Sequence, residues 1–207
     1  MIWDEWAQHY KELNIESSRI CKDGVINLSE WTNCDSKVLF VLKEVNGGSG
    51  EDLLNLLANG PKYQMWHTIA RWAAGIQNNF PDYDSINCYE TMKKALARIS
   101  SINLKKTSGG SSSNMSVINS YAKADRKLLL KQINEIKPKT IVAGGTFDSL
   151  IWLLDLKVDI DAPTAKPVFD PLRNIWVIPW RHPGRVNNRD SYAELGRLYS
   201  TINSRFA

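Results

Sequence analysis

Hydrophobic and polar positions alternate between two patterns along the chain. Trp3, Trp6, Ala7, Tyr10 and Leu13 recur near helical spacing and predict an amphipathic helix over 3–13. Val38-Leu39-Phe40-Val41-Leu42 is a continuous apolar run, as a strand buried on both faces requires, and Gly47-Gly48-Ser49-Gly50 breaks it. Residues 51–58 read as a short helix. Trp66, Ile69, Ala70, Ala73 and Ile76 form one stripe on a helix from about Tyr63 to Gln77. Asn87-Cys88-Tyr89-Glu90 has the form of a capping box opening a helix to about Arg98. Ile99 to Leu104 predicts a second strand, and the polar, Gly/Ser-rich segment from Lys105 to Asn114 a loop. One long helix is expected from Ser116 to Lys137, stopped by Pro138. Thr140 to Ala143 is a third strand, closed by Gly144-Gly145, with a helix from Thr146 or Asp148 to about Leu156. Ile175 to Trp180 is a fourth strand, and a last helix covers about Ser191 to Arg205.

Strands separated by helices imply right-handed crossovers and a parallel sheet with helices on both faces. Ligands of such sheets bind outside the carboxyl ends of the strands. The loops beginning near Lys43, Lys105, Gly144 and Arg181 are therefore where chemistry is expected. Neither an internal repeat nor a linker interrupts the 207 residues, so a single domain, 1–207, is expected.

Composition narrows the class. With 43% hydrophobic and 23% charged residues the chain is ordinary globular material, not collagen, coiled coil or a disordered polymer. No apolar run approaches the roughly 18 residues of a membrane helix, so no membrane partner is expected. The first residues, Met1-Ile2-Trp3-Asp4-Glu5-Trp6, are acidic where a signal peptide is basic. Cys21, Cys34 and Cys88 are an odd number, widely spaced, and read as reduced thiols of a cytoplasmic protein. A monomer is expected. Charge is unevenly placed: residues 1–60 carry 5 Lys/Arg against 10 Asp/Glu, and residues 61–207 carry 21 against 12. That asymmetry suits either an anionic partner for the later two-thirds or a solvated lysine-rich surface.

Four strand ends carry the candidate chemistry. Lys43-Glu44-Val45-Asn46-Gly47-Gly48 offers a carboxylate, an amide and backbone N–H groups, or simply a turn; it is neither a P-loop nor G-x-G-x-x-G. Asn103 falls at the edge of a buried strand, where its amide must be paired, either with backbone or with a ligand presenting a donor beside an acceptor. The run Lys105-Lys106-Thr107-Ser108-Gly109 suits phosphate or a flexible loop. Arg181-His182-Pro183-Gly184-Arg185 places one of three histidines between two arginines at the last strand end.

These segments together resemble the uracil-DNA glycosylase superfamily. Phe40-Val41-Leu42-Lys43-Glu44-Val45-Asn46-Gly47 is similar to its first motif in the G-E-A-P-G form, Ile102-Asn103-Leu104 to its second strand end, Ala143-Gly144-Gly145-Thr146 to its Gly-Ser turn, and His182-Pro183 to the start of H-P-S-P. The resemblance spans about 38–186. It implies an α/β fold, a three-layer α/β/α sandwich around a four-stranded parallel sheet of order 2-1-3-4. It implies a glycosylase excising uracil or a related deaminated base from damaged or single-stranded DNA by N-glycosidic hydrolysis, a hydrolase of base-excision repair. Glu44 and His182 would be catalytic. Asn46, Asn103 and His182 would bind the base. Lys105, Lys106, Ser108, Gly109, Gly145, Thr146, Arg181 and Arg185 would hold DNA. No metal or other cofactor is implied. The sequence departs from the pattern at Val45, which cannot position water as an Asp or Asn does, and in lacking the Tyr or Pro of the pocket floor. Those departures suit a second expectation, a protein that binds a nucleobase or nucleic acid on the same fold without cutting. An α/β hydrolase of another kind is disfavoured, since no G-x-S-x-G elbow is present.

Overall fold

The computed structural model describes residues 2–48, 50–159 and 166–203. The apolar run Val38–Leu42 is strand β2 of the fold, buried at every position. Its side chains alternate between two cores. Val38, Phe40 and Leu42 enter one, and Leu39 and Val41 the other. This is why the sequence shows no polar face.

Strands β1 (Gly24–Val25), β3 (Ser100–Asn103), β4 (Thr140–Gly144), β5 (Val168–Asp170) and β6 (Ile175–Trp180) complete one sheet in the order β1-β3-β2-β4-β6-β5. Neighbours among β3, β2, β4 and β6 pair in parallel, with Leu42 opposite Asn103, Val41 opposite Ala143 and Gly144 opposite Trp180. β1 and β5 are antiparallel edges. The expected sheet of four parallel strands is thus corrected to a mixed sheet of six. Edge strands of two and three residues are too short to show a period-2 pattern, and short edges also limit strand-to-strand aggregation.

The first core is closed by α3 (Leu53–Leu57), α4 (Gln64–Gln77), α6 (Tyr89–Ala97) and α10 (Asn188–Asn203), through residues such as Leu57, Ile69, Leu96 and Leu195. The second is closed by α1 (Ile2–Glu12), α7 (Met115–Ala124), α8 (Arg126–Ile136) and α9 (Phe147–Leu154), through Tyr10, Ile118, Ile133 and Leu150. Helices therefore cover both faces. Two short helices, α2 (Leu28–Thr32) and α5 (Tyr83–Ile86), lie in connections that the sequence pattern left unassigned. Among the described residues, no helix is long and apolar enough to cross a membrane.

Two local expectations fail for tertiary reasons. The single helix over 116–137 is two, broken at Asp125. Its carboxylate accepts from Tyr10 Oη at 2.9 Å and pairs with His9 Nε2 at 2.8 Å, both on α1. The sequence pattern is apolar-periodic across this break, and only the contact with α1 marks it. The capping box at Asn87 does not form. Cys88 is the N-cap of α6, and the Asn87 side-chain oxygen accepts from Arg71 Nε at 2.8 Å instead.

The pairing of β2 with β3 continues past their ends. Leu104 and Lys105 donate to the carbonyls of Leu42 and Lys43, Gly109 N–H donates to the Val45 carbonyl, and Gly47 N–H donates to the Gly109 carbonyl. The two loops are laced together over the carboxyl edge of the sheet.

Candidate functional site

The predicted residues fall into three clusters along that edge. The first is built on Glu44. Lys105 Nζ lies 2.5 Å from Glu44 Oε2 and also donates to the carbonyls of Thr107 and Ser108 at 3.3 and 2.9 Å. Both charged side chains are more than nine-tenths buried. Gly109 lies directly over the carboxylate, where a Cβ would come within 2.2 Å of Glu44 Cδ. Only glycine permits this approach. Asn46 is exposed, its backbone bridged to Gly109. Lys105 is thus corrected as a phosphate ligand: its ammonium is used up by Glu44 and the carbonyls of Thr107 and Ser108, while Ser108 itself is half-buried. Gly109 covers Glu44, and its N–H, expected to meet phosphate, donates to the Val45 carbonyl at 2.8 Å instead.

The second cluster surrounds Asn103. Its backbone N–H donates to Asp23 Oδ2 at 2.8 Å, and its side-chain Nδ2 leans toward the same oxygen at 3.4 Å. Lys106 Nζ bonds both Asp23 oxygens at 2.8 and 2.9 Å and the Asn103 carbonyl at 2.9 Å. Gln132 Nε2 adds a bond to Asp23 Oδ1 at 2.9 Å. Lys106 is fully buried, with its ammonium 5.2 Å from the Trp6 ring. Burial pushes the ammonium pKa down against the pull of Asp23. Its place among the DNA ligands is therefore corrected. A buried, triply bonded ammonium has no donor left for a phosphate.

The third cluster stands where β2, β4 and β6 end. Gly145 turns with φ +74°, and a Cβ on it would stand 3.1 Å from Lys43 Cε and 3.4 Å from His182 Cβ. His182 Nδ1 accepts from the Gly184 N–H at 3.1 Å. That bond assigns the ring proton to Nε2, leaving a neutral donor. Burial, reinforced by Lys43, holds the imidazole below its ordinary pKa.

The remaining predictions divide. Thr146 is buried and spends its hydroxyl on the Val41 carbonyl at 2.8 Å, which corrects it as a DNA ligand. Arg181 is exposed, pairs with Glu194 and lies 5.0 Å over the Trp180 ring. Arg185 is exposed, with φ +60°. A cavity of about 590 Å³ opens beside the third cluster, lined by Gly145, Thr146, Asp148, Trp180 and Arg181 among others. It does not include Glu44, Asn103 or His182. Among the described residues no hydrogen bond joins Glu44, Asn103 and His182, and β3 and β6 are separated by β2 and β4. At a spacing of about 4.8 Å per strand their ends stand roughly 14 Å apart, which suits a planar ring between two side chains and not direct contact.

Sequence reasoning missed Asp23 and Lys43 as site residues. Asp23 carries no local signal, being 80 and 83 residues from its partners. Lys43 did carry one: it is the first charge after a doubly buried strand. Neither a family model nor a curated protein matches the chain.

Proposed function

We propose that the chain acts on a nucleobase in DNA as a glycosylase-like hydrolase, removing uracil or a related deaminated base. The reading rests on one observation above others: His182 is fixed by Gly184 as a neutral Nε2–H donor at a strand end, beside a cation and a glycine turn. In this reaction the C1′–N1 bond breaks and its electron pair leaves with the base. The oxygen of a water then bonds C1′, and its proton passes to solvent. A directed N–H that meets charge growing on the base oxygen lowers that barrier, and such stabilisation is commonly the largest single contribution. Asn103 at the opposite side of the gap supplies an amide that matches the O4 and N3–H of uracil together. Its Nδ2 carries two hydrogens and spends at most one of them on Asp23, in a long 3.4 Å contact. No cofactor enters this scheme. The flanking Arg181 and Arg185 are the exposed cations that would meet DNA phosphates.

A second reading is favoured by one specific observation. Glu44, the carboxylate expected to orient water, is buried against Lys105 beneath Gly109. With no free carboxylate to orient the water, such a site would bind a base without cutting. Incubation with oligonucleotides bearing uracil, hypoxanthine or xanthine, in single and double strands, followed by alkaline cleavage, separates the two. Abasic sites that disappear with His182→Gln support the hydrolase. Selective binding of the modified strands without strand breaks supports the binder. Neither excision nor selective binding refutes both.

A further inference from the structure

Glu44 is the one carboxylate among the residues expected to act, and a loop residue closes it off. Its side chain is only 6% exposed. A Cβ on Gly109 would stand 2.2 Å from Glu44 Cδ and 2.3 Å from each carboxylate oxygen. The segment that carries Gly109 is anchored on one side. Upstream, the Lys106 carbonyl accepts from the Cys21 N–H at 2.6 Å, and Thr107 is buried and bridged to Ile20. Downstream, residues 110–113 are exposed and make no hydrogen bond among the described residues, until Asn114 caps α7. Between these limits three bonds hold the cover down. Gly109 N–H donates to the Val45 carbonyl at 2.8 Å, Gly47 N–H to the Gly109 carbonyl at 3.1 Å, and the Lys105 ammonium to the Ser108 carbonyl at 2.9 Å. Val45, Ser108 and Gly109 are half-buried and Gly47 is exposed. Bonds so placed open locally, well before a buried sheet does.

We propose that Ser108 and Gly109 form an autoinhibitory strap over Glu44, and that lifting the strap, with the sheet intact, uncovers the carboxylate. The ladder beneath does not depend on the strap. Leu104 and Lys105 keep their N–H bonds to the Leu42 and Lys43 carbonyls when Gly109 leaves Val45. Lys105 gives up the Ser108 carbonyl and retains Glu44. The covered form corresponds to the binder and the lifted form to the hydrolase, so cutting scales with the fraction lifted. What the uncovered carboxylate does, orienting water at C1′, rests on the nucleobase reading, whereas the existence of the strap does not. Gly109 is the position at which the strap can be lifted by design. Its φ is not in the left-handed region, so alanine fits its backbone and clashes only with Glu44.

Two measurements on the whole chain test this. The first is native-state hydrogen exchange of the unaltered protein, corrected for intrinsic rates. The Gly109 amide is expected to exchange at least about 100-fold faster than the Leu104 amide, which lies in the buried ladder. Equal protection of the two overturns the proposal without need of any variant, because the cover would then open only with the sheet. The second is modification of Glu44 by a water-soluble carbodiimide with glycine ethyl ester, read by peptide mass. The activated carboxyl is captured by the added amine or by Lys105, and both products count. Gly109→Ala is expected to raise the rate of Glu44 modification at least about tenfold. Gly110→Ala, where a Cβ meets nothing within 4 Å, is expected to leave it unchanged. Equal modification of the unaltered protein and a folded Gly109→Ala overturns the strap. On uracil-bearing single strands, Gly109→Ala is also expected to raise excision at least about threefold. Neither main readout involves strand cleavage. Uncovering of Glu44 without excision therefore sustains the strap while the hydrolase reading fails, and excision with Glu44 equally reactive in both proteins does the reverse.

Discussion

Lys106→Met removes a cation for which the fold has no substitute. Asp23 would keep two close neutral donors, the Asn103 N–H at 2.8 Å and Gln132 Nε2 at 2.9 Å, but would lose the Lys106 ammonium. The Asn103 carbonyl would lose a partner as well. Breaking a buried pair from one side costs about 3–5 kcal/mol, because the remaining charge stays buried. The two surviving donors place this case near about 3 kcal/mol, a large share of a typical 5–15 kcal/mol stability. For a urea m-value of about 2 kcal/mol/M, the midpoint should fall by about 1.5 M. Lys94→Met, at an exposed position of α6, is the control and should stay within about 0.5 kcal/mol. Adding Asp23→Asn to Lys106→Met should recover part of the loss, with a coupling in the range of about 0.5–3 kcal/mol. A Lys106→Met loss below about 1 kcal/mol would show that the ammonium is not held as described. The same variant should leave the salt slope of any nucleic-acid binding unchanged.

Other expectations follow from the same geometry. Asn103→Asp places a second carboxyl against Asp23 and should cost about 1–3 kcal/mol by denaturant titration, as an imperfectly paired buried group does; it should also abolish any preference for uracil over cytosine oligonucleotides, and an unchanged preference would make Asn103 purely structural. Arg185→Gly relieves a left-handed backbone at φ +60° and should raise stability by up to about 1 kcal/mol. The same change should lower the log–log salt slope of DNA binding by about 0.7–0.9 if Arg185 meets a phosphate. His182 and His67 both have folded pKa values below 6.5, His67 through burial and then Arg71. The unfolded chain therefore binds more protons than the native one as pH falls below about 6.5, so stability should decline there. His182→Gln should flatten this decline, and an unaltered profile would place the His182 pKa at its ordinary value.

The parallel strands were legible because β2, β4 and β6 are buried on both faces and read as unbroken apolar runs. β1 and β5 were not, since two or three edge residues carry no period. Strand ends pointed correctly to where polar groups gather, but not to what each would touch. Lys105 and Lys106 sit at the start of a Gly/Ser-rich segment, and local sequence reads them as solvated cations. Their partners, Glu44 and Asp23, lie 61 and 83 residues earlier. The break at Asp125 was invisible for the same reason: a carboxylate in a helical pattern is unremarkable until His9 and Tyr10 claim it.

That clamp on Asp125 has a consequence for biosynthesis. Trp6 and Tyr10 are fully covered in the native fold, yet their helix is translated more than a hundred residues before Asp125. During elongation α1 is an aromatic, sticky segment with nothing to dock on. Contacts of such long range form late and slow the approach to the native state. Nascent chains are most vulnerable to aggregation in this interval, when apolar surface is exposed. Truncated chains ending before residue 125 should therefore partition into the insoluble fraction, whereas the whole chain stays in solution.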